Sequence, residues 1–249
     1  MPIFGIGLHV LIALFFAVHA IRHGQQLFWL IVLFSFPLLG SVVYFFAIYL
    51  PNSRLEHGAR KVAVAAAKSL DPGRALREAR AAFDYTPTAQ NQMRLASALL
   101  DSGAGVEAAD TYEACLRGAF ASDLEIRFGA ARANLACGRA RQAIEHLESI
   151  QRSDANFRAE PVALLLAQSY AAAGRRQEAR DAFEAALARF GSFECQAEYA
   201  IWAAGAGEKE LAERHRQELQ RTVERWSRHT RGINADLLRR VNAALGGNL

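Results

Sequence analysis

The sequence predicts an all-α protein: a two-helix transmembrane hairpin followed by a solenoid of helical hairpins. Three observations carry this expectation. Residues 1–50 hold one formally charged side chain, Arg22, whereas residues 51–249 hold all 25 Asp/Glu and all but one of the 29 Lys/Arg. That later part is rich in Ala, Arg, Glu and Leu, the composition of packed helices. Within it, glycines at the apparent helix breaks (Gly103, Gly138, Gly174 and Gly207) recur at spacings of 35, 36 and 33 residues, a period that marks a repeat architecture. The two parts join near Pro51-Asn52-Ser53.

The first element is the apolar run IFGIGLHVLIALFFAVHAI, 19 residues from Ile3 to Ile21 without an acid, Lys or Arg. As a helix it reaches about 28 Å, enough for a hydrocarbon core. RHGQQ at 22–26 breaks it, and Leu27–Leu50 supplies 24 further, mostly apolar residues with Trp29 near one end and Tyr44 and Tyr49 towards the other. Two spans joined by a short turn put both termini on one side. Arg54, Arg60, Lys61 and Lys68 follow the second span, and the positive-inside rule then places the soluble part in the cytoplasm, at the inner membrane of a bacterium. His9 and His19 are ionisable groups within the first run, and such groups in a membrane are functional candidates. Ten residues apart on a helix, they do not share a face for joint metal or haem ligation. Pro37 removes a backbone donor mid-run, so the second span is expected to kink there, with Gly40 allowing close backbone approach.

Pro37-Leu38-Leu39-Gly40 followed by Tyr44, after a short first span and a brief polar turn, resembles the N-terminal membrane hairpin that precedes phospholipase-D-type catalytic domains, including cardiolipin synthases. The resemblance covers about residues 5–48 and implies an enzyme. The rest of the chain contradicts that implication. Phospholipase-D chemistry uses His-x-Lys, and the seven histidines are followed two residues later by Leu11, Ile21, Gln25, Ala59, Glu148, Gln217 and Arg231. Nor is there a Gly-rich phosphate loop, HExxH or Gly-x-Ser-x-Gly. No enzyme activity and no cofactor are expected. Cys115, Cys137 and Cys195 lie far apart without CxxC spacing, the pattern of free, packed thiols, so no metal site is expected either.

Residues 51–88 read as connecting helices: 54–70, then 71–88 with Pro72 near its start and Pro87 at its end, a pair that looks like a degenerate repeat. Residues 89–220 hold the four copies. In the clearest, PVALLLAQSYAAAGRRQEARDAFEAALARF (161–190), Leu166-Ala167, Tyr170, Gly174, Ala179, Phe183 and Ala186 fall in the order of a tetratricopeptide repeat, which this segment resembles. The other copies give Leu95-Ala96, Leu99, Gly103, Ala108, Tyr112 and Cys115; Ala130-Ala131, Asn134, Gly138, Ala143, Leu147 and Ile150; and Tyr199-Ala200, Ala203, Gly207, Ala212, Arg216 and Leu219. Asn134 and Arg216 stand where the family has larger apolar residues, and the closing proline is missing from every copy. The fourth copy is read as terminal and capping. Residues 208–231 are expected as one long helix and 233–245 as a short one before Gly246-Gly247, so that 221–249 form a C-terminal helical cap.

The resemblance places the binding surface on first-helix positions that do not pack within a pair. By offset these include Gln90, Met93, Ser97, Phe128, Arg132, Leu135, Leu164 and Gln168. Chaperone-binding members of the family hold a carboxylate with Lys and Asn at positions occupied here by Met93 and Ser97, so that activity does not carry over. A largely apolar groove suits a helix or extended peptide of a protein partner. A second candidate is a basic stripe, Arg214, Arg221, Arg225 and Arg228, which falls along one side of the long helix and suits anionic headgroups or an acidic partner. A net charge of +4 is too small to point to nucleic acid. The sequence thus reads as a membrane-anchored adaptor that binds a protein on the cytoplasmic side. The alternative is a regulatory or transport-related membrane protein acting through its hairpin, with His9, His19 and Pro37 involved.

Overall fold

The computed structural model describes residues 3–22, 28–35, 37–44, 71 and 73–247, and the chain divides into two units, Met1–Pro72 and Gly73–Leu249. The expected helix at 54–70 and Tyr49 lie outside the described residues. So do the side chains of His9 and His19, although both residues belong to the first helix.

Unit 1 contains α1 (Ile3–Arg22), α2 (Phe28–Ser35) and α3 (Pro37–Tyr44). The second apolar run is not one kinked span. Pro37 is the first residue of α3, where a missing N–H costs no helical bond and the fixed φ favours a new start. α3 then folds back on α2: a Cβ at Gly40 would lie 2.4 Å from the Val32 carbonyl oxygen, so only glycine lets the two backbones approach this closely. Trp29, near the start of α2, and Tyr44, at the end of α3, have ring centroids 5.5 Å apart. Along one straight helix they would sit about 22 Å apart. Tyr44 also meets Phe16 of α1 at 5.4 Å, and Phe16, Ala17, Ala20, Leu33 and Tyr44 form the unit's core, with Trp29 and Leu30 against it. The two-span hairpin expected from the sequence is therefore corrected: at eight residues each, α2 and α3 are about 12 Å long. Among the described residues no helix is long and apolar enough to cross a membrane.

Unit 2 is a stacked series of helix pairs. α4 (Arg74–Tyr85) precedes α5 (Ala89–Asp101) with α6 (Gly105–Cys115), α7 (Leu124–Ala136) with α8 (Ala140–Ser153), α9 (Ala159–Ala172) with α10 (Arg176–Phe190), and α11 (Phe193–Gly205) with α12 (Lys209–Glu224). The turn within each pair has one chemistry. Gly103, Gly138, Gly174 and Gly207 have φ of 87°, 80°, 74° and 75°, left-handed values that favour glycine. The next residue's N–H reaches back to the first helix: Ala104 to Leu99, Arg139 to Asn134, Arg175 to Tyr170 and Glu208 to Ala203, at 2.9, 2.7, 2.9 and 2.8 Å. This closes one end of the first helix and launches the second in the same stroke. Three of the four first helices start on side-chain caps, Thr88 accepting from the Asn91 N–H, Asp123 from Ile126 and Ser192 from Cys195.

Small residues set the spacing between helices. Ala96, Ala108, Ala130, Ala143, Ala167, Ala179 and Ala200 are all fully buried. At Gly129 a Cβ would come 2.4 Å from the Tyr112 ring, so this glycine is the seat on which the α6 tyrosine rests against α7. Asn134, in place of a larger apolar residue, donates to Glu113 Oε1 at 2.9 Å, an oxygen that also meets His146 Nε2 at 2.7 Å. A buried amide is thus satisfied rather than orphaned.

The long terminal helix expected at 208–231 is broken. α12 ends at Glu224, and α13 (Arg228–Ile233) starts on Ser227, whose side chain accepts from the Thr230 N–H. Arg231 Nη2 donates to the Val223 carbonyl at 2.9 Å, closing the α12 end, and the Trp226 ring between the helices sits 4.4 Å from that of Phe193. α14 (Ala235–Leu245) then packs against α11, with Val241 in a core shared with Ala197, Ala200 and Leu219.

Candidate functional site: a groove on the first two repeats

The faces of α5 and α7 open onto a cavity of about 530 Å³. It brings together Gln90, Met93, Ser97, Phe128 and Arg132, five of the eight residues expected on the groove, with Glu78 and Ala79 of α4 at one side and Arg158 at the other. Met93 and Phe128 are half-buried and form its apolar floor; Gln90 and Arg132 are exposed at its edge. The floor is held from below: Met93 packs on the core around Leu95, Leu99 and Tyr112, and Phe128 on the core around Ala131 and Leu166.

The charged rim is organised. Arg158 Nε donates to Glu125 Oε1 at 2.9 Å, and its guanidinium carbon lies 5.5 Å from the Phe128 ring centroid. Arg158 has φ of 41°, the one non-glycine residue with positive φ among those described. A left-handed conformation at a residue with a Cβ costs about 1 kcal/mol or more, and here it accompanies an arginine that reaches from the start of α9 across to α7. On the opposite rim Glu78 accepts from Arg74 at 2.7 Å, a contact that, with the nearby Arg94, holds its carboxyl below the usual range. Arg94 and Arg132 make no ion pair among the described residues. The Tyr112 hydroxyl beneath the floor is pushed up by burial, with a Ser97 hydrogen bond and Arg132 acting against that rise.

The remaining expected groove residues lie elsewhere. Leu164 is buried in the core with Phe183 and Tyr199, so it is a packing residue and not a groove residue. Leu135 is half-buried on α7 outside the cavity. Gln168 Nε2 donates to Glu198 Oε2 at 2.9 Å, and Arg240 of α14 grips the same carboxylate from the other side at 2.7 and 2.9 Å. The cavity thus lies on the first two copies, whereas α9 and α11 are bridged to one another through Gln168 and Glu198, and α11 to α14 through Arg240. Sequence offsets missed Glu198, Arg240 and Arg158. The Glu198–Arg240 pair spans 42 residues and leaves no local signal, and Arg158 closes the turn Asn156-Phe157-Arg158, which has no glycine to mark its left-handed backbone.

The basic stripe is split by the break after α12. Arg214 and Arg221 are exposed on α12, Arg225 is its C-cap and Arg228 opens α13, so the four do not share one helix face. Cys115 and Cys195 are buried, and burial pushes both thiols up to about 11, away from thiolate chemistry. Among the described residues no three His, Cys, Asp or Glu side chains converge in a way that could hold a metal.

Comparison with known proteins adds the fold. No family model matches the chain, and no curated protein matches it. Among solved structures it is similar to TTC0263, a thermophilic TPR protein of Thermus thermophilus, with a TM-score of 0.55, 19% identity, and coverage of 74% of this chain and 96% of that one. It is also similar to MamA of RS-1, a double mutant, with a TM-score of 0.51 and 14% identity, and to MamA of MSR-1, with 0.50 and 18%; in both, 67% of this chain and 95% of the other are covered. The likeness to the phospholipase-D hairpin found in the sequence gains no support from these comparisons. With the paired helices and the repeated glycine turn, they show the architecture: an all-α helical-repeat solenoid of the tetratricopeptide type.

Proposed function

We propose that the chain is a protein-binding scaffold that takes a segment of a partner protein into the groove on α5 and α7. The observation that carries this reading is the convergence of Gln90, Met93, Ser97, Phe128 and Arg132 on one cavity. Its chemistry defines the partner segment. Met93 and Phe128 offer a site for one apolar anchor, and Arg94 and Arg132 favour an acidic side chain beside it. The second part of the proposal is that unit 1 tethers the scaffold to a lipid bilayer, at the inner membrane of a bacterium with the repeats on the cytoplasmic face. The charge asymmetry of the sequence supports that tether.

The test is partner capture by crosslinking in native membranes, comparing the natural chain with Met93→Glu/Phe128→Glu. Both positions are half-buried on the cavity floor, where a Glu side chain can turn into the open cavity, and circular dichroism checks that the double variant stays helical. Loss of one captured protein with helicity retained supports the groove. Identical capture by both chains refutes it and redirects attention to Arg214, Arg221, Arg225 and Arg228.

A further inference from the structure

The geometry points to a re-entrant membrane insertion: α2 enters a bilayer from one face and α3 returns to that same face. The inference rests on the proposal that unit 1 is embedded in lipid, and it replaces the two-span arrangement. Three observations define it. Gly40 against the Val32 carbonyl makes α2 and α3 a back-to-back pair. The Trp29–Tyr44 contact brings the entry of α2 and the exit of α3 to one end of the pair, and Phe16 of α1 joins them there. Each helix is about 12 Å long, so the end of the pair where α2 stops and α3 starts lies less than halfway through a hydrocarbon core of about 30 Å. Pro37, the first residue of α3, brings no N–H donor to that end, removing one group that lipid cannot satisfy.

Hydrocarbon fits the outer surface of the pair. Neither α2 nor α3 contains a charged residue. Of the thirteen large hydrophobic residues exposed among those described, nine belong to unit 1, Val18 and Ile21 of α1, Phe28 and Phe34 of α2 and Val42 and Val43 of α3 among them. An uncharged face of this extent complements an uncharged medium, and the one formal charge on the three helices, Arg22, is exposed at the end of α1.

Labelling with a membrane-impermeant maleimide in sealed vesicles of both orientations tests this, read peptide by peptide by mass spectrometry so that the native thiols stay in place. The probes are Arg22→Cys, Ser35→Cys and, as the marker for the repeat side, Val106→Cys, all at exposed positions. The expected result is labelling of Arg22→Cys and Val106→Cys from the same face and of Ser35→Cys from neither. Labelling of Arg22→Cys only from the face opposite Val106→Cys shows two spans; it overturns the re-entrant pair and leaves the membrane tether standing. Release of the chain by alkaline carbonate overturns the tether itself, and a second copy would then cover the apolar faces. Gly40→Leu supplies an independent check. Its side chain forces α2 and α3 apart, so loss of the same-face pattern in this variant supports the fold-back, and an unchanged pattern contradicts the role given to Gly40.

Discussion

His215 shows what one buried side chain can do to this solenoid. It is 5% exposed on α12, its ring 4.7 Å from that of Tyr199, and neither ring nitrogen has a hydrogen-bond partner among the described residues. Burial lowers its pKa; Glu218, 3.8 Å from Nδ1, and Glu184 act against that drop, and Arg214 adds to it. A folded pKa below the unfolded one means that the unfolded chain binds the proton more tightly. The stability is complete above the unfolded value, near 6.5, and falls as pH drops below it. We expect the melting temperature of unit 2 to fall between about pH 7.5 and 5.5, and His215→Phe to remove part of that slope. Parallel melting curves for the two chains would refute this. Gly129 makes a second prediction at this scale. Its Cβ position is filled by the Tyr112 ring, so Gly129→Val should cost about 1–3 kcal/mol in urea denaturation, and a neutral result would mean that α6 and α7 yield there.

Among the elements, α14 behaves as a latch on α11. Its apolar hold is Val241, and its polar hold is Arg240 on Glu198. The Glu198 side chain is 7% exposed and that of Arg240 55%, so solvent screens one partner but not the other. Arg240→Ala leaves a buried carboxylate with Gln168 alone. We expect a loss of about 1–3 kcal/mol, less than for a fully buried pair, with faster amide exchange concentrated in α14 and α11. Exchange that rises uniformly across unit 2 would contradict the latch. The pairing of helices is legible in the sequence because it depends on local chemistry: a glycine at each turn and alanines where helices cross. The latch itself is not legible, because it joins residues from separate elements. The break at Ser227 was hidden too, since Val223 and Trp226 continue a helical apolar spacing while one serine side chain caps a new start.

At the scale of the molecule, the composition changes near residues 51–53, whereas the two units part between Pro72 and Gly73. The charge-poor first 50 residues belong to one unit and the repeats to the other. Composition separated the charge-poor residues from the repeats but did not give the path within unit 1. Pro37 and Gly40 fit both a kinked span and a fold-back, and only the contacts of Trp29, Tyr44 and Val32 distinguish them. The groove was half legible for a similar reason. Repeat offsets gave five residues of α5 and α7 that line one cavity, but also Leu135 of α7, which does not. They misplaced Leu164 because α11 follows closely enough to bury it.

The central claim is that a partner protein occupies the groove on α5 and α7. Site-specific photocrosslinking in the full chain tests it most directly, with the photoreactive residue placed at Phe128 or at Arg141, an exposed position on α8 that is not part of the cavity. One discrete adduct is expected from position 128, lost when Arg132→Glu is added, and none from position 141. The same adduct from both positions, or none from 128 in cells where the chain is functional, would contradict it.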